Sequence, residues 1–333
     1  HDVENMQDIA EEIVRIVGID NIEAKPLIFS EKIRINKTLV DFEKRKFYRF
    51  KAVAAGYFES VHYVFDDRVR SESYGFECIA KEKDLLNPIT TELNTLRVTL
   101  ALNLLDAVSK NQNAGFKSAN LFEVGRVFDK NRNESLKVAF VSSGFSEEPS
   151  VENHGKPSEY DFFSFASKIT QIIGNFKVVK ASPKNRLFSP YEYGLIEQNG
   201  EILGEIGRLN PNNSFGLARA YICEVDFEKL VYKRKMFTSY SKLPSVSRDL
   251  SVLVPKTLEY KKIEDCIKSC NIKELSKFYP IDTYSDEKLG DKLSLTITLN
   301  FIPEAKTFED EDINAMINKI LENLKNQLEV SIR

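Results

Sequence analysis

The order of elements after residue 237 constrains this chain more than any other feature. Alternating runs mark strands at 248–254, 274–284, 292–301 and 328–332. Helical spacing of apolar residues marks helices at 258–270 and 309–326. The order β-α-β-β-α-β is that of a ferredoxin-like sheet with two helices on one face. The second helix opens on Glu309, Asp310, Glu311 and Asp312, where the macrodipole favours negative charge. Its apolar stripe is Ile313, Met316, Ile317, Ile320, Leu321 and Leu324.

The preceding part has a different rhythm. A helix over 8–18 opens at Asp8 and stops at Gly18, and an extended connection covers 19–36. A cation-rich amphipathic helix spans 37–56, and Phe58 to Phe65 alternates like a strand. Further strands are expected near Leu96–Val98 and at 121–128, 136–141 and 219–227, with helices over 100–112 and 159–173. Residues 193–207 read as a hairpin, with Asn199-Gly200 supplying the positive φ angles of a tight turn. Strands joined by hairpins with helices interspersed imply a mostly antiparallel α+β domain. At 333 residues the chain is long enough for about two domains.

Several functions are excluded. A phosphate-binding loop, a dinucleotide fingerprint, a His-Glu-x-x-His motif and a nucleophile elbow are all missing. No run is long and apolar enough to span a bilayer, so no membrane role is expected. Four cysteines are too few for a disulfide framework, which makes a reducing, cytoplasmic setting the default. Cys266 and Cys270 are spaced i, i+4 and could share a metal, but lack a second ligand pair and read as core. The net charge of −3 argues against an indiscriminate polyanion clamp. Local charge differs: residues 207–248 carry eight cations against three acids, and residues 31–59 eight against four. These runs serve equally as solvated faces.

Two constellations carry chemistry. Asp8, Glu11 and Glu12 share one helix face, and Asp2 can fold back toward them. Such hard oxygen donors suit Mg²⁺ or Ca²⁺; the competing reading is that they complement the helix dipole. The second is Pro244-Ser-Val-Ser-Arg-Asp-Leu250, where Lys242 and Arg248 are candidate RNA contacts and the Arg-Asp pair could instead brace the sheet edge.

The motifs together resemble the bacterial phenylalanyl-tRNA synthetase beta subunit, in its C-terminal portion. The resemblance rests on Asp8-Ile-Ala-Glu-Glu-Ile-Val-Arg-Ile-Val-Gly18, Asn87-Pro-Ile-Thr90, Leu96-Arg-Val-Thr-Leu100, Leu121-Phe-Glu-Val-Gly125, Leu243-Pro-Ser-Val-Ser-Arg-Asp-Leu250, the run from Tyr279 to Tyr284, and the closing Ser331-Ile-Arg333. It implies three parts: residues 1–29 as the tail of a preceding domain that bears the metal carboxylates, 30–236 as a non-catalytic class II synthetase-like core, and 237–333 as a ferredoxin-fold anticodon-binding domain. It also implies that Asp2, Asp8, Glu11 and Glu12 hold a Mg²⁺ shared with an alpha subunit. The family enzyme is an (αβ)₂ tetramer that uses ATP to attach phenylalanine to its tRNA, with the working site on alpha. The chain departs from the family at Ala101-Leu-Asn103, Asn113-Ala114 and Leu187-Phe-Ser-Pro190. A piece of this kind is expected to lack catalytic residues and editing activity, and the helix over 37–56 to lie at the subunit interface. A stand-alone RNA-binding or regulatory interaction protein built on the same folds is the other reading.

Overall fold

A computed structural model describes residues 2–28, 36–232, 237, 239–304, 306–328 and 330–332. The chain divides into two compact units, His1–Lys233 and Arg234–Arg333. Parts of the ranges given above lie outside the described set: residues 1, 29–35, 233–236 with the expected domain boundary, 238, 305, 329 and Arg333.

The first unit begins with α1 (Met6–Val17) and α2 (Lys37–Ala54), followed by β1 (Phe58–Glu59), β2 (Phe65–Asp66), α3 (Arg68–Ser73) and β3 (Thr95–Leu96). It continues through α4 (Ala101–Asn113), β4 (Ala119–Phe128), β5 (Glu134–Ser143), α5 (Phe162–Ile173), β6 (Lys177–Lys180), β7 (Phe188–Gln198), β8 (Glu201–Leu209) and β9 (Ala220–Asp226). Among the described residues the main sheet runs β1-β4-β5-β9-β8-β7-β6. Its neighbours are antiparallel except β1 with β4. The β7–β8 hairpin turns at Asn199 and Gly200, both with positive φ, as the Asn-Gly pair requires.

Both sheet faces are filled. Phe122, Phe140, Tyr221 and Cys223 point to one side and pack with Tyr48 and Ala52 of α2 and Phe165 and Ile169 of α5. Alternate residues, among them Val127, Ala139, Val141 and Ile222, pack with Leu102, Leu105 and Val108 of α4 on the other. The register is tight at Gly204, where an added Cβ would lie 2.0 Å from the carbonyl oxygen of Glu224.

A buried carboxylate joins α4 to this sheet. Glu224 is 4 % exposed and accepts from the Thr99 hydroxyl at 2.6 Å, the Leu100 amide at 2.9 Å and Lys137 Nζ at 2.8 Å. Leu100 caps α4 and supplies no side-chain acceptor, so a residue 124 positions away takes that amide. Burial pushes the Glu224 pKa up, but the charge of Lys137 and the three hydrogen bonds outweigh it and hold the carboxylate below its ordinary value. A second buried ion pair links Glu123 to Arg97 at 2.7 Å, and His62 Nδ1 lies 2.6 Å from the other oxygen of Glu123.

The expected strand over 58–65 does not form as one element. Phe58–Glu59 pairs with β4, whereas Phe65–Asp66 pairs with β3. Between them the chain leaves the main sheet, where the Val64 carbonyl accepts from Arg97 N. Alternation marks extended backbone but not which partner receives it. The helix over 159–173 begins later, at Phe162, because Asp161 and Ser164 form its capping box. Strand β6 lacked a sequence signal: its four residues are all exposed.

The second unit follows the expected order: β10 (Val246–Pro255), α6 (Tyr260–Ser269), β11 (Leu275–Tyr284), β12 (Lys292–Phe301), α7 (Asp310–Leu328) and β13 (Ser331–Ile332). Its sheet order is β11-β12-β10-β13, antiparallel throughout. Leu250, Val252, Val254, Leu295, Ile297, Leu299 and Phe301 face the two helices. Cys266 and Cys270 belong to this core, with Asn323 Nδ2 at 3.3 Å from the Cys270 sulfur.

Lys137→Met should destabilise the first unit by about 3 kcal/mol, the lower end of the range for orphaning a buried ion-pair partner. Because the folded pKa of Glu224 is depressed, the stability it contributes is present above the ordinary glutamate value of 4.5 and lost as pH falls through the folded pKa. Urea unfolding of the variant should therefore lose part of the acid dependence of the native chain, and adding Glu224→Gln should recover part of the loss.

Candidate nucleic-acid interface

In the second unit the helices cover one sheet face and leave the other to shorter side chains. Ser247, Asp249, Ser251 and Leu253 of β10 alternate with its core residues, as do Ser294, Thr296, Thr298 and Asn300 of β12. Hydroxyls are paired across the rungs: Ser251 with Thr296 at 3.0 Å, and Thr298 donating to Asp249 at 2.6 Å.

Strand β11 completes this face through its irregularities. Tyr279 pairs with Thr298 and Tyr284 with Ser294, so both rings lie on the face away from the helices. They are five residues apart, and a regular strand would send them to opposite faces. A register shift between Pro280 and Asp282 supplies the missing residue. Pro280 lacks an N–H to donate to the ladder, which suits a bulge site. Lys277 and Asp282 share the face, opposite Asn300 and Thr296. Tyr279 is 37 % and Tyr284 45 % exposed. Lys277 Nζ sits 4.8 Å from the Tyr279 ring centroid, and the Tyr284 hydroxyl donates to Asp286 at 3.2 Å. Aromatic rings on a sheet, set among small hydroxyl and amide side chains, can stack bases and hydrogen-bond their edges without a strongly basic field.

The cations singled out from sequence sit elsewhere. Arg248 pairs in register with Leu299, a core residue, and so lies on the helix side. It reaches Asp310, at the start of α7, at 3.4 Å and donates to the Ser247 carbonyl. Arg248 thus ties β10 to α7 through Asp310, whereas Asp249, its neighbour in the motif, lies on the other face and accepts from Thr298. Lys242 is exposed on the segment leading into β10. Sequence reasoning quoted the Tyr279–Tyr284 run but missed its tyrosines and Lys277 as face residues, because strict alternation hides the bulge.

The N-terminal carboxylates lie on or just before α1, a helix that buries none of its residues. Its cap is Asn5, so Asp8 is the third helical residue and not the opener. Asn5 Oδ1 accepts from the Gln7 and Asp8 amides, and Asp8 Oδ2 accepts from the Glu4 and Asn5 amides at 2.8 and 3.0 Å. Glu12 is held by Arg15 at 2.6 Å. Asp2 and Glu11 are exposed. Among the described residues, no three His, Cys, Asp or Glu side chains gather closely enough to hold a metal ion. The donors suit a hard cation in kind, and a cation on all four requires Asp8 and Glu12 to turn from their present partners.

In the first unit a cavity of about 820 Å³ is lined by His62, Tyr63, Asp66, Arg70, Asn103 and Asp106. Arg70 bridges Asp66 and Asp106 there, tying α3 to α4. Burial raises the Asp66 pKa despite the nearby charge of Arg70.

The chain thus carries a mostly antiparallel α+β unit and a ferredoxin-like unit whose helix-free sheet face bears two tyrosines among hydroxyl side chains. Residues 241–333 match the family described as ferredoxin-fold anticodon binding domain, and residues 34–227 match the phenylalanyl tRNA synthetase beta chain CLM domain. The chain belongs to the phenylalanyl-tRNA synthetase beta chain family. It is 45 % identical over 335 residues to the phenylalanine–tRNA ligase beta subunit of Sulfurimonas denitrificans, covering all of this chain and 43 % of that protein. The corresponding Campylobacter jejuni RM1221 protein is 43 % identical over 98 % of this chain and 42 % of its own length. That of Wolinella succinogenes is 38 % identical over all of this chain and 43 % of its own length. The chain thus spans about two-fifths of the length of these relatives.

The Glu4 and Asn5 amides hold the Asp8 carboxyl below the ordinary aspartate value of 3.8. Its capping contribution is therefore present above that value and lost as pH falls through the lowered one. Backbone chemical shifts of residues 6–17 should lose helical character on acidification, and Asp8→Ala should lower helicity at neutral pH while removing the acid step.

Proposed function

We propose that this chain is the C-terminal portion of the beta subunit of a phenylalanine–tRNA ligase. In this reading it supports ATP-dependent attachment of phenylalanine to its tRNA. The catalytic alpha subunit activates the amino acid, and this chain assembles with it in an (αβ)₂ tetramer and positions the tRNA anticodon region. The observation that carries the reading is the open face of the second unit, with Tyr279, Tyr284 and a hydroxyl-rich floor, in a domain whose family is described as anticodon binding. Whole-chain kinship to ligase beta subunits weighs against a stand-alone RNA-binding or regulatory protein.

The first unit serves assembly. Its helix-strand-sheet sequence, with β1 parallel to β4, is proposed as a class II-like core without catalytic residues. The motif Gly-x-Gly-x-x-x-x-Arg, used for ATP in that class, is missing from the sequence. On α2, Tyr48 and Ala52 are buried, while Leu39, Phe42, Phe50 and Val53 form an exposed stripe on the opposite side. That stripe is the proposed contact with the alpha subunit. Residues 1–29 would belong to a preceding domain. There Asp2, Asp8, Glu11 and Glu12 would hold a Mg²⁺ shared with alpha, which supplies charge neutralisation between the subunits. Lys242 would flank the RNA, while Arg248 stays on the helix side against Asp310. Among the described residues no helix is long and apolar enough to cross a membrane, and the proposed site of action is the cytoplasm.

Copurification with the alpha subunit tests this reading. Phenylalanylation only when both chains are present supports it; a chain that never associates with alpha refutes it. Phe42→Asp with Phe50→Asp should abolish the complex while far-UV circular dichroism stays unchanged. Asp8→Ala with Glu11→Ala should weaken Mg²⁺-dependent assembly, and unaltered assembly would leave these carboxylates as helix-capping groups alone.

A further inference from the structure

We propose that the cavity beside α4 in the first unit is a binding site for a free α-amino acid with an apolar side chain. Nothing in it depends on RNA or on an alpha subunit.

The cavity holds about 820 Å³, within the span of roughly 300–1,000 Å³ usual for small-molecule sites. Its floor is polar and buried: Asp66 is fully buried and Asn103 is 9 % exposed. Arg70 donates to Asp66, to Asp106 and, at 3.2 Å, to Asn103 Oδ1. A guanidinium only donates, so the oxygen of the Asn103 amide must face Arg70 and its NH₂ must face elsewhere. That NH₂ has no acceptor among the described residues, and its side chain lines the cavity. A buried amide donor left without a partner calls for an acceptor from the cavity.

Two further groups come from α4. Asn103, Asp106, Ala107 and Lys110 recur at helical spacing and all line the cavity, whereas Leu102, Leu105 and Val108 pack on the sheet. Asp106 gives one carboxylate oxygen to Arg70 and keeps the other. Lys110 is exposed and makes no ion pair among the described residues. At ~1.5 Å per residue, Asp106 lies ~4.5 Å from Asn103 and ~6 Å from Lys110 along the helix axis. The helix therefore offers a donor, an acceptor and a cation in a row, with the small Ala107 leaving room between them.

Charge selects the ligand. Among the lining residues Asp66, Asp67, Glu92 and Asp106 outnumber Arg70 and Lys110. That argues against an anion and favours an ammonium at Asp106. The Asn103 amide and Lys110 require an acceptor close to that ammonium, which a polyamine lacks and a carboxylate supplies. An α-amino acid carries both groups one carbon apart. Val61 and Tyr63, exposed at the rim, join Phe65 and Leu93 as an apolar wall for its side chain.

The test titrates leucine into the intact chain by isothermal titration calorimetry, with backbone amide shifts locating the site. Saturable binding is expected, with shift changes centred on residues 61–70 and 103–110. Leucinol lacks the carboxylate and 4-methylpentanoate lacks the ammonium. Each should bind roughly 10- to 150-fold more weakly than leucine, the worth of one charge-assisted hydrogen bond. Lys110→Met should weaken leucine by a similar factor and leave leucinol unchanged, and because Lys110 is exposed this variant keeps the fold. Asp106→Asn should weaken leucine and leave 4-methylpentanoate unchanged. No binding of leucine, or equal binding of leucine and leucinol, overturns the proposal. Leucinamide binding as tightly as leucine would make the occupant a peptide N-terminus and overturn a free amino acid. Spermidine binding more tightly than leucine would make the cavity a polyamine site and overturn it as well.

Discussion

The first unit depends on one buried carboxylate. Glu224 lies in the middle of the sheet, with Ala139 of β5 and Glu205 of β8 as its register partners. An unpaired charge there would cost several kcal/mol. Lys137 from the neighbouring strand and two donors at the start of α4 make it tolerable. The same interactions fix where α4 begins and hold it to its sheet face, so a buried charge, usually a weak source of stability, sets the geometry of one of the two hydrophobic layers. The Arg97–Glu123 pair does the same for the segment between β1 and β3, where the chain leaves one sheet for another.

The two units face water differently. In the first, side chains fill both sheet faces, and exposed apolar residues stand on α1 and along the outer stripe of α2 as well as on loops and strands, Leu86, Val151 and Tyr191 among them. That is the distribution expected of a scaffold that meets other protein surfaces. In the second, one face is packed and the other is a floor of serine, threonine and asparagine carrying two rings. A net charge of −3 thus sits comfortably with RNA recognition, because stacking supplies affinity without a basic field.

Much of this was legible in the sequence because it is local. Asn199-Gly200 specifies its turn, Gly18 ends its helix and the apolar period of α7 names its buried residues. Whole elements of the second unit fall within a few residues of their expected limits. The misses have one cause, that local pattern carries no information about partners. Residues 58–65 alternate, yet divide between two sheets. Arg248 looked like an RNA contact, but its register puts it on the helix side against Asp310. Asp8 looked like a helix opener, whereas Asn5 caps the helix and Asp8 completes the capping box.

Sequence by itself determined the family and, in the second unit, the order of elements and the apolar stripe of α7, since periodicity and turn chemistry are written in consecutive residues. Tertiary structure decided which side chains share a surface. Tyr279 and Tyr284 stand at an odd spacing that alternation assigns to opposite faces, and the bulge at Pro280, visible only once β11 is laid against β12, puts them on the same one. Glu224, likewise, became the cap of α4 only when the fold brought it beside an amide 124 residues away.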